Sequence, residues 1–182
     1  MVLNTPLKRG WVLTALCTVM VLTSVCVAGA RETPKPSVVG GGRIGVPIVG
    51  ETIPSASDFG FAVNEDGGTF VCSMAGPETG GFAGFQVMLV EGPVAAGTLR
   101  VSGQHVSFAG KATVVLIPGM NGASETVLNG IPYSVSARTG ISGTATMILS
   151  IPAFTQALGG DTGGIVRQGA IGFAGRDPDD ER

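Results

Sequence analysis

The sequence predicts an all-β protein whose short antiparallel strands pack as a two-sheet sandwich, with a small β-barrel as the alternative. Apolar residues alternate along many segments, as in Phe59-Gly60-Phe61-Ala62-Val63, which is the pattern of a half-buried strand. Gly, Pro, Asn and Ser bound these segments and recur at intervals of roughly 8 to 12 residues. Helical segments do not alternate with the strands, so a parallel α/β sheet is excluded.

The composition indicates a single folded domain. The chain has 182 residues, of which 44% are apolar and 13% charged, with 30 glycines and a formal net charge of −2. A disordered chain would have fewer apolar residues and more net charge, and a collagen-like chain would repeat glycine at every third position. The charge balance also argues against a protein that binds nucleic acid.

The first thirty residues have the three parts of a secretory signal peptide. Lys8 and Arg9 precede an uncharged apolar run over residues 11–27, and Ala28 and Ala30 supply the small residues of a cleavage site. We therefore predict cleavage after Ala30 and a secreted or periplasmic protein. The alternative is an uncleaved membrane anchor, although the apolar run is short for a span.

Cleavage would leave Cys72 as the single cysteine, so an intrachain disulfide is excluded and a disulfide between two chains stays possible. Residues 31–42 contain two prolines and a glycine triplet and are predicted to be a tether. Residues 43–175 are predicted to be one β-sandwich domain. Residues 176–182, RDPDDER, are predicted to be an acidic, disordered tail.

Eight or nine short strands are predicted in the domain. The first three are predicted over residues 44–48, 59–63 and 70–74, and Pro47 inside the first of them favours an edge position or an approach to the sheet. The others are predicted over residues 85–90, 98–102, 104–109, 112–117, 132–137 and 143–151. Residues 99–108 form the clearest hairpin, with Gly103 at its tip. Residues 152–158 begin with proline and are followed by Gly159, which predicts about two turns of helix.

Four segments resemble a group of exported bacterial β-sandwich modules: residues 40–44 (GGGRI), 59–63 (FGFAV), 106–113 (VSFAGKAT) and 159–161 (GGD). Members of that group begin with a GGG-x-I segment followed by an FGF-x-V strand, and the likeness covers most of residues 40–173. The resemblance implies a sandwich fold and no particular activity, because the group has no established site. This chain has QGAIGF at residues 168–173, where the group has a final Gly-Asn-Ile strand, so the register of the last strand stays open.

Two motifs match known sites by letter, but their context differs. Residues 40–45 fit G-x-G-x-x-G, yet a strand follows where a dinucleotide site needs a helix, so no cofactor is predicted. Asp161-Thr162-Gly163 matches the aspartic-protease triplet but has no second copy, and its glycine neighbours indicate a loop. Asp161 is kept only as a candidate Ca²⁺ ligand, since Ca²⁺ needs six to eight oxygens. No metal centre is predicted, because there is no Cys-x-x-Cys motif and no His/Cys cluster.

Cys72 and His105 are the pair available for catalysis by a cysteine nucleophile. Cys72 alternates with Phe70 and Met74, which favours a core position, and His105 lies beside the hairpin turn, which favours exposure. We therefore predict a non-catalytic exported module, an interaction or structural domain of the bacterial envelope or exterior that binds an unidentified protein or envelope component. The alternative is a small exported cysteine hydrolase or transpeptidase that uses Cys72 and His105.

Overall fold

A computed structural model describes residues 37–46, 55–75, 85–119, 124–158 and 160–174. These residues form an antiparallel all-β structure with one short helix, which confirms the predicted class. The helix, α1, covers Thr155–Leu158. The strands are β1 (Ser37–Val46), β2 (Ser55–Asn64), β3 (Gly67–Ala75), β4 (Phe85–Val94), β5 (Arg100–Ser102), β6 (His105–Pro118), β7 (Thr126–Arg138), β8 (Gly140–Ile141), β9 (Thr146–Ser150) and β10 (Thr162–Ala174).

The strands form one closed sheet. The fold is therefore the small β-barrel that was predicted as the alternative, and not the two-sheet sandwich. Hydrogen-bonded neighbours follow the order β1-β2-β3-β4-β6-β7-β9-β10, and β10 pairs back to β1 from Ser37↔Ala174 to Ile44↔Val166. Eight described strands close the barrel in this way, while β5 and β8 pair with β6 and β10. Alternation of apolar and polar residues is the same in a sandwich and a barrel, so the pattern alone does not separate them.

Strand β1 differs from its prediction in two respects. It has a partner on each side, β2 and β10, because a closed barrel has no edge there, and it ends at Val46, before Pro47. Residues 37–42, assigned above to the tether, form the first six of its ten residues. Gly40 pairs with Phe61, and a Cβ atom at Gly40 would lie 2.5 Å from Phe61 Cζ. Because Gly40 has no side chain, the Phe61 ring can occupy the space beside it.

The barrel interior is an apolar core to which all eight strands contribute alternate residues. Aromatic rings cross it in contact with one another. The ring centroids are 6.1 Å apart for Phe59 and Phe61, 5.0 Å for Phe61 and Phe108, 6.1 Å for Phe70 and Phe108, and 5.1 Å for Phe70 and Tyr133. The Tyr133 hydroxyl donates a hydrogen bond of 3.2 Å to the Pro93 carbonyl oxygen, as a buried tyrosine requires.

Because the eight strands alternate in direction, the connections between them lie at both ends of the barrel. At one end, here called the α1 end, β9 is connected to β10 by the segment that contains α1. Ile151 of this segment is part of the core, and Phe154 and Leu158 pack against it. At the opposite end, here called the hairpin end, the chain leaves β4 and enters β5, which forms a hairpin with the first residues of β6.

The predicted hairpin is confirmed, and the strands around it are longer than predicted. Ser102 pairs with His105, and Gly103 at the tip has a φ of 59°. The strands predicted at 104–109 and 112–117 form the single strand β6. The expected turn at Asn129-Gly130 is a bulge in β7, where the register shifts and the φ of Gly130 is 71°.

The last third of the chain is strand-rich as predicted, with different boundaries. The predicted helix over 152–158 is shortened to the four residues of α1, and β9 begins at Thr146, after a turn. Strand β10 begins at Thr162, within the segment around Asp161 whose glycines predicted a loop. Its second half pairs residues 168–174 with residues 43–37 of β1, which settles the register left open above.

The predicted signal peptide (residues 1–30), the remaining part of the predicted tether (31–36) and the predicted tail (176–182) lie outside the described residues. Within the described residues, no helix is long and apolar enough to cross a membrane.

Candidate functional site

Cys72 lies in the middle of β3 with its side chain in the barrel core, where it is 1% exposed. Burial, with a smaller contribution from the negative charge of Asp58, raises the pKa of the thiol from 9.0 to about 12. A reactive cysteine needs an accessible and electropositive setting that favours the thiolate. The position of Cys72 favours the neutral thiol and also keeps the sulfur away from a second chain.

His105 is exposed at the start of β6, as its place beside the hairpin turn predicts. Cys72 pairs with Val90, and Val90 pairs with Val114 of β6. His105 lies nine residues before Val114 on that strand, which corresponds to about 30 Å of extended chain. The structure therefore does not bring the thiol and the imidazole together.

Asp161 is exposed immediately before β10. The next residue, Thr162, is buried and donates a hydrogen bond of 3.3 Å to the Leu149 carbonyl oxygen, while Gly163 pairs with Ile148. In the described parts of the chain, no group of three His, Cys, Asp or Glu side chains could hold a metal ion. Asp161 therefore lies at the end of a strand, and the described residues place no group of further acidic ligands around its carboxylate that could complete a Ca²⁺ site.

A shallow depression and a buried hydroxyl lie at opposite ends of β2. At the hairpin end, an open depression of about 420 Å³ lies beside Val39, Ala62 and Asn64. At the α1 end, the side chain of Ser57 is fully buried between Ile44 and Met74, its cross-strand partners. Among the described residues its hydroxyl has no hydrogen-bond partner, which is unfavourable by about 1–3 kcal/mol.

The outside of the barrel carries a cluster of apolar residues near the α1 end, on β3, β4, β6 and β7. Two rows of directly paired residues form most of it: Ala75, Val87 and Ile117 in one row, and Leu89, Val115 and Val127 in the other. Val71 of β3 lies next to these rows, opposite Glu91. We call these seven residues the outer apolar face.

The residues of the outer apolar face point outward because their neighbours along each strand are buried. Met74, Met88 and Leu116, which alternate with them, belong to the core. Val71 is 40% exposed, Ile117 37% and Val127 50%. Monomeric proteins rarely expose contiguous apolar patches above a few hundred Å², and the larger patches often have a function.

Elsewhere on the described barrel surface, the exposed large apolar residues Val39, Val101, Ile141, Ile148 and Ile165 lie on five different strands. On β7, the outward residues between buried Tyr133, Val135 and Ala137 are Ser134 and Ser136, both exposed. Exposed Ile148 of β9 stands between Ser136 and Gly163, so it extends no apolar row. The outer apolar face is therefore a local departure from the rule that one face of a strand is apolar and the other polar.

Charged residues lie around the outer apolar face and not within it. The row of Leu89 and Val115 continues through Ser73 to Asp58 and Arg43. The Arg43 guanidinium donates two hydrogen bonds to the Asp58 carboxylate, at 2.8 and 2.9 Å, and this hydrogen bonding lowers the pKa of Asp58. Glu91 and Lys111 are exposed on the adjoining parts of β4 and β6.

The outer apolar face was not predicted from the sequence, although the sequence contains an indication of it. Residues 87–90 (VMLV) and 114–117 (VVLI) are uninterrupted apolar runs within alternating strands. Such runs are typical of strands that are covered on both faces. In this barrel one face of each run belongs to the core, and on the other face Val87, Leu89 and Val115 are half-buried and Ile117 is exposed.

Comparisons with known proteins give no match: no family model, no curated protein and no solved structure matches the chain. The resemblance of residues 40–173 to exported bacterial β-sandwich modules stays a prediction.

Proposed function

We propose that this chain is an exported, non-catalytic β-barrel module that binds a partner protein through its outer apolar face. The observation that carries the proposal is the pair of aliphatic rows on β3, β4, β6 and β7. Contiguous exposed apolar patches with polar surroundings are typical of protein interaction sites. Export follows from the predicted signal peptide.

The chemistry of the face indicates the kind of partner. Its seven side chains are aliphatic and uncharged, so they offer nothing to a phosphate or to a polar ligand. A formal net charge of −2 also gives no general attraction to nucleic acid or anionic lipid. The complementary surface is an uncharged aliphatic area on another protein.

The geometry of Cys72 and His105 supports a non-catalytic role over the cysteine-enzyme alternative. A cysteine nucleophile needs a base within hydrogen-bonding reach, about 2.6–3.2 Å. His105 is separated from the strand position level with Cys72 by nine residues of β6, and the Cys72 thiol is buried. No observation favours a second function over the proposed one.

Site-specific photo-crosslinking in the organism that encodes the chain tests the proposal. A photoreactive amino acid replaces Val127 in the outer apolar face, and in a matched control it replaces Ser136, which is also exposed on β7. We expect the Val127 variant to crosslink one defined protein and the Ser136 variant not to do so. Equal crosslinking from both positions, or none from Val127, would contradict the proposal.

The crosslinked protein is then identified, purified and titrated against three forms of the chain. The double variant Val115→Lys/Val127→Lys places two charges in the face, and Ser134→Lys/Ser136→Lys places the same charges on the polar surface of β7. We expect the first variant to bind at least about tenfold more weakly than the wild type, since even 1.4 kcal/mol has this effect. The second variant should bind like the wild type, and equal affinity of all three forms would refute the proposal.

A further inference from the structure

We infer that Asn129 is a site of spontaneous deamidation, at which the backbone nitrogen of Gly130 attacks the Asn129 side-chain amide and the residue becomes aspartate or isoaspartate. The inference goes beyond the proposed function and does not depend on it. It follows from the Asn-Gly pair, from the bulge that contains the pair and from a hydrogen bond to the reacting amide.

The reaction needs no enzyme and consumes water. The Gly130 nitrogen loses its proton to a base and forms a bond to Asn129 Cγ, and the bond from Cγ to the amide nitrogen then breaks and releases ammonia. Water opens the resulting succinimide ring at either carbonyl carbon, which gives aspartate or isoaspartate. A glycine after the asparagine favours the attack, because it has no side chain to hinder its nitrogen and the widest choice of backbone angles.

The bulge in β7 leaves this pair outside the regular ladder. The register of β6 and β7 shifts here, so that Asn129 and Gly130 together lie opposite Thr113. Both residues are exposed, and a Cβ atom at Gly130 would have no heavy atom within 4 Å. The side-chain amide and the backbone nitrogen are therefore neighbours in an open part of the strand, with room for the ring and access for water.

Thr113 contacts the reacting amide from the neighbouring strand. Its hydroxyl donates a hydrogen bond of 2.9 Å to Asn129 Oδ1. Negative charge develops on this oxygen when the Gly130 nitrogen adds to Cγ, and a donor aimed at such an oxygen stabilises the charge. We therefore expect the Thr113 hydroxyl to accelerate the reaction.

Asn64 provides a comparison within the same chain. It is exposed at the end of β2, and its Oδ1 accepts a hydrogen bond of 2.9 Å from the backbone N–H of Asp66. The residue that follows it is Glu65, whose side chain hinders an attack by its own nitrogen. Exposure and a hydrogen bond to the side-chain oxygen are thus common to these two asparagines, and of the two only Asn129 precedes a glycine.

The product changes the charge of the barrel beside the outer apolar face. Asn129 follows Val127 by two residues on β7, and both are exposed. Either product adds one negative charge at this place, and isoaspartate also lengthens the backbone of β7 by one methylene group. The new charge therefore lies next to the surface proposed to bind a partner, although the reaction itself needs none.

Peptide mapping by mass spectrometry of the folded chain, incubated at about pH 8 in water enriched in heavy oxygen, tests the inference. The fragment with Asn129 should lose ammonia, gain heavy oxygen and contain isoaspartate, while the fragment with Asn64 stays unchanged. The map also separates Asn129 from Asn121, which precedes a glycine and lies outside the described residues. An Asn129 that stays intact as long as Asn64 does, or that gives no isoaspartate, would overturn the inference.

Two variants test the part played by the Thr113 hydroxyl. Thr113→Val removes the hydroxyl and should slow the loss of Asn129 about two- to tenfold, the effect of one hydrogen bond on a rate. Thr113→Ser keeps the hydroxyl and should react like the wild type. A urea unfolding curve confirms that each variant is folded, and Thr113→Ala replaces Thr113→Val if that chain does not fold. Equal rates in all forms would refute the role of Thr113.

Discussion

Adding a methyl group at Gly40 perturbs the barrel where β1 passes the Phe61 ring. A Cβ atom at this position would lie 2.5 Å from Phe61 Cζ, 2.7 Å from Phe61 Cε1 and 3.1 Å from Ile171 Cγ1. Phe61 is only 6% exposed, and its ring is in contact with the rings of Phe59 and Phe108. The ring therefore has little room to move away. The next residue, Gly41, provides the control, since a Cβ atom there would meet only the Phe59 carbonyl oxygen, at 3.6 Å.

The two substitutions should change the free energy of unfolding in opposite directions. Overpacking of a core is destabilising by about 1–3 kcal/mol, and replacement of glycine by alanine stabilises by about 0.4–1 kcal/mol through the unfolded chain. We expect Gly40→Ala to lower the free energy of unfolding by about 1–2 kcal/mol and Gly41→Ala to raise it by about 0.5 kcal/mol. The difference of about 2 kcal/mol corresponds to about 4–8 °C in Tm for a chain of this size.

Urea unfolding followed by far-ultraviolet circular dichroism measures both changes. Combining Gly40→Ala with Phe61→Leu should recover part of the loss, because leucine leaves space for the added methyl group, and the double-mutant cycle gives the coupling energy. If Gly40→Ala is as stable as Gly41→Ala, or if the cycle shows no coupling, the close packing of β1 on Phe61 is wrong.

Three further predictions concern buried polar groups. Ser57→Ala should raise the free energy of unfolding in urea by about 1 kcal/mol, because it removes an unpartnered buried hydroxyl, and a loss of stability would mean that the hydroxyl has a partner. A disulfide reagent at about pH 8 should label Cys72 only after unfolding, whereas rapid labelling of the folded chain would favour the cysteine-enzyme alternative. Burial raises the pKa values of Cys72 and Tyr133 from 9.0 and 10.0 to about 12, so the folded chain retains protons that the unfolded chain loses. These two groups should leave stability unchanged from about pH 6 to about pH 8 and lower it as the pH rises from about 9 to about 12, and a urea midpoint unchanged from about pH 9 to about pH 11 would contradict this assignment.

The fold class could be predicted because each core strand shows its inward face in the sequence. Phe59, Phe61 and Val63 alternate, as do Phe70, Cys72 and Met74, and all six are buried. The closure of the barrel could not be predicted, because it depends on the pairing of β1 with β10, which are far apart in the sequence. The predicted end of the tether at residue 42 was wrong for a related reason. Three consecutive glycines are typical of linkers, and only the position of Phe61 opposite Gly40 explains why this segment is part of a strand.

The candidate site was less accessible to sequence analysis than the fold. The core position of Cys72 and the exposure of His105 followed from alternation and from the hairpin, but their separation depends on the order of β3, β4 and β6 in the sheet. The outer apolar face depends on cross-strand pairs such as Leu89 with Val115, which come from distant segments. The uninterrupted apolar runs at 87–90 and 114–117 indicated burial on both faces and could have pointed to it.

Methyl NMR with a paramagnetic cosolute tests the central claim most directly, namely that the outer apolar face binds a partner protein. In the chain alone, the methyl groups of Val71, Ile117 and Val127 should be broadened by the cosolute, and after addition of the protein identified by crosslinking they should be protected from it. Ile148 and Ile165, exposed to a similar extent on β9 and β10, should be broadened in both samples. Broadening of Val71, Ile117 and Val127 that the added protein does not change would contradict the claim.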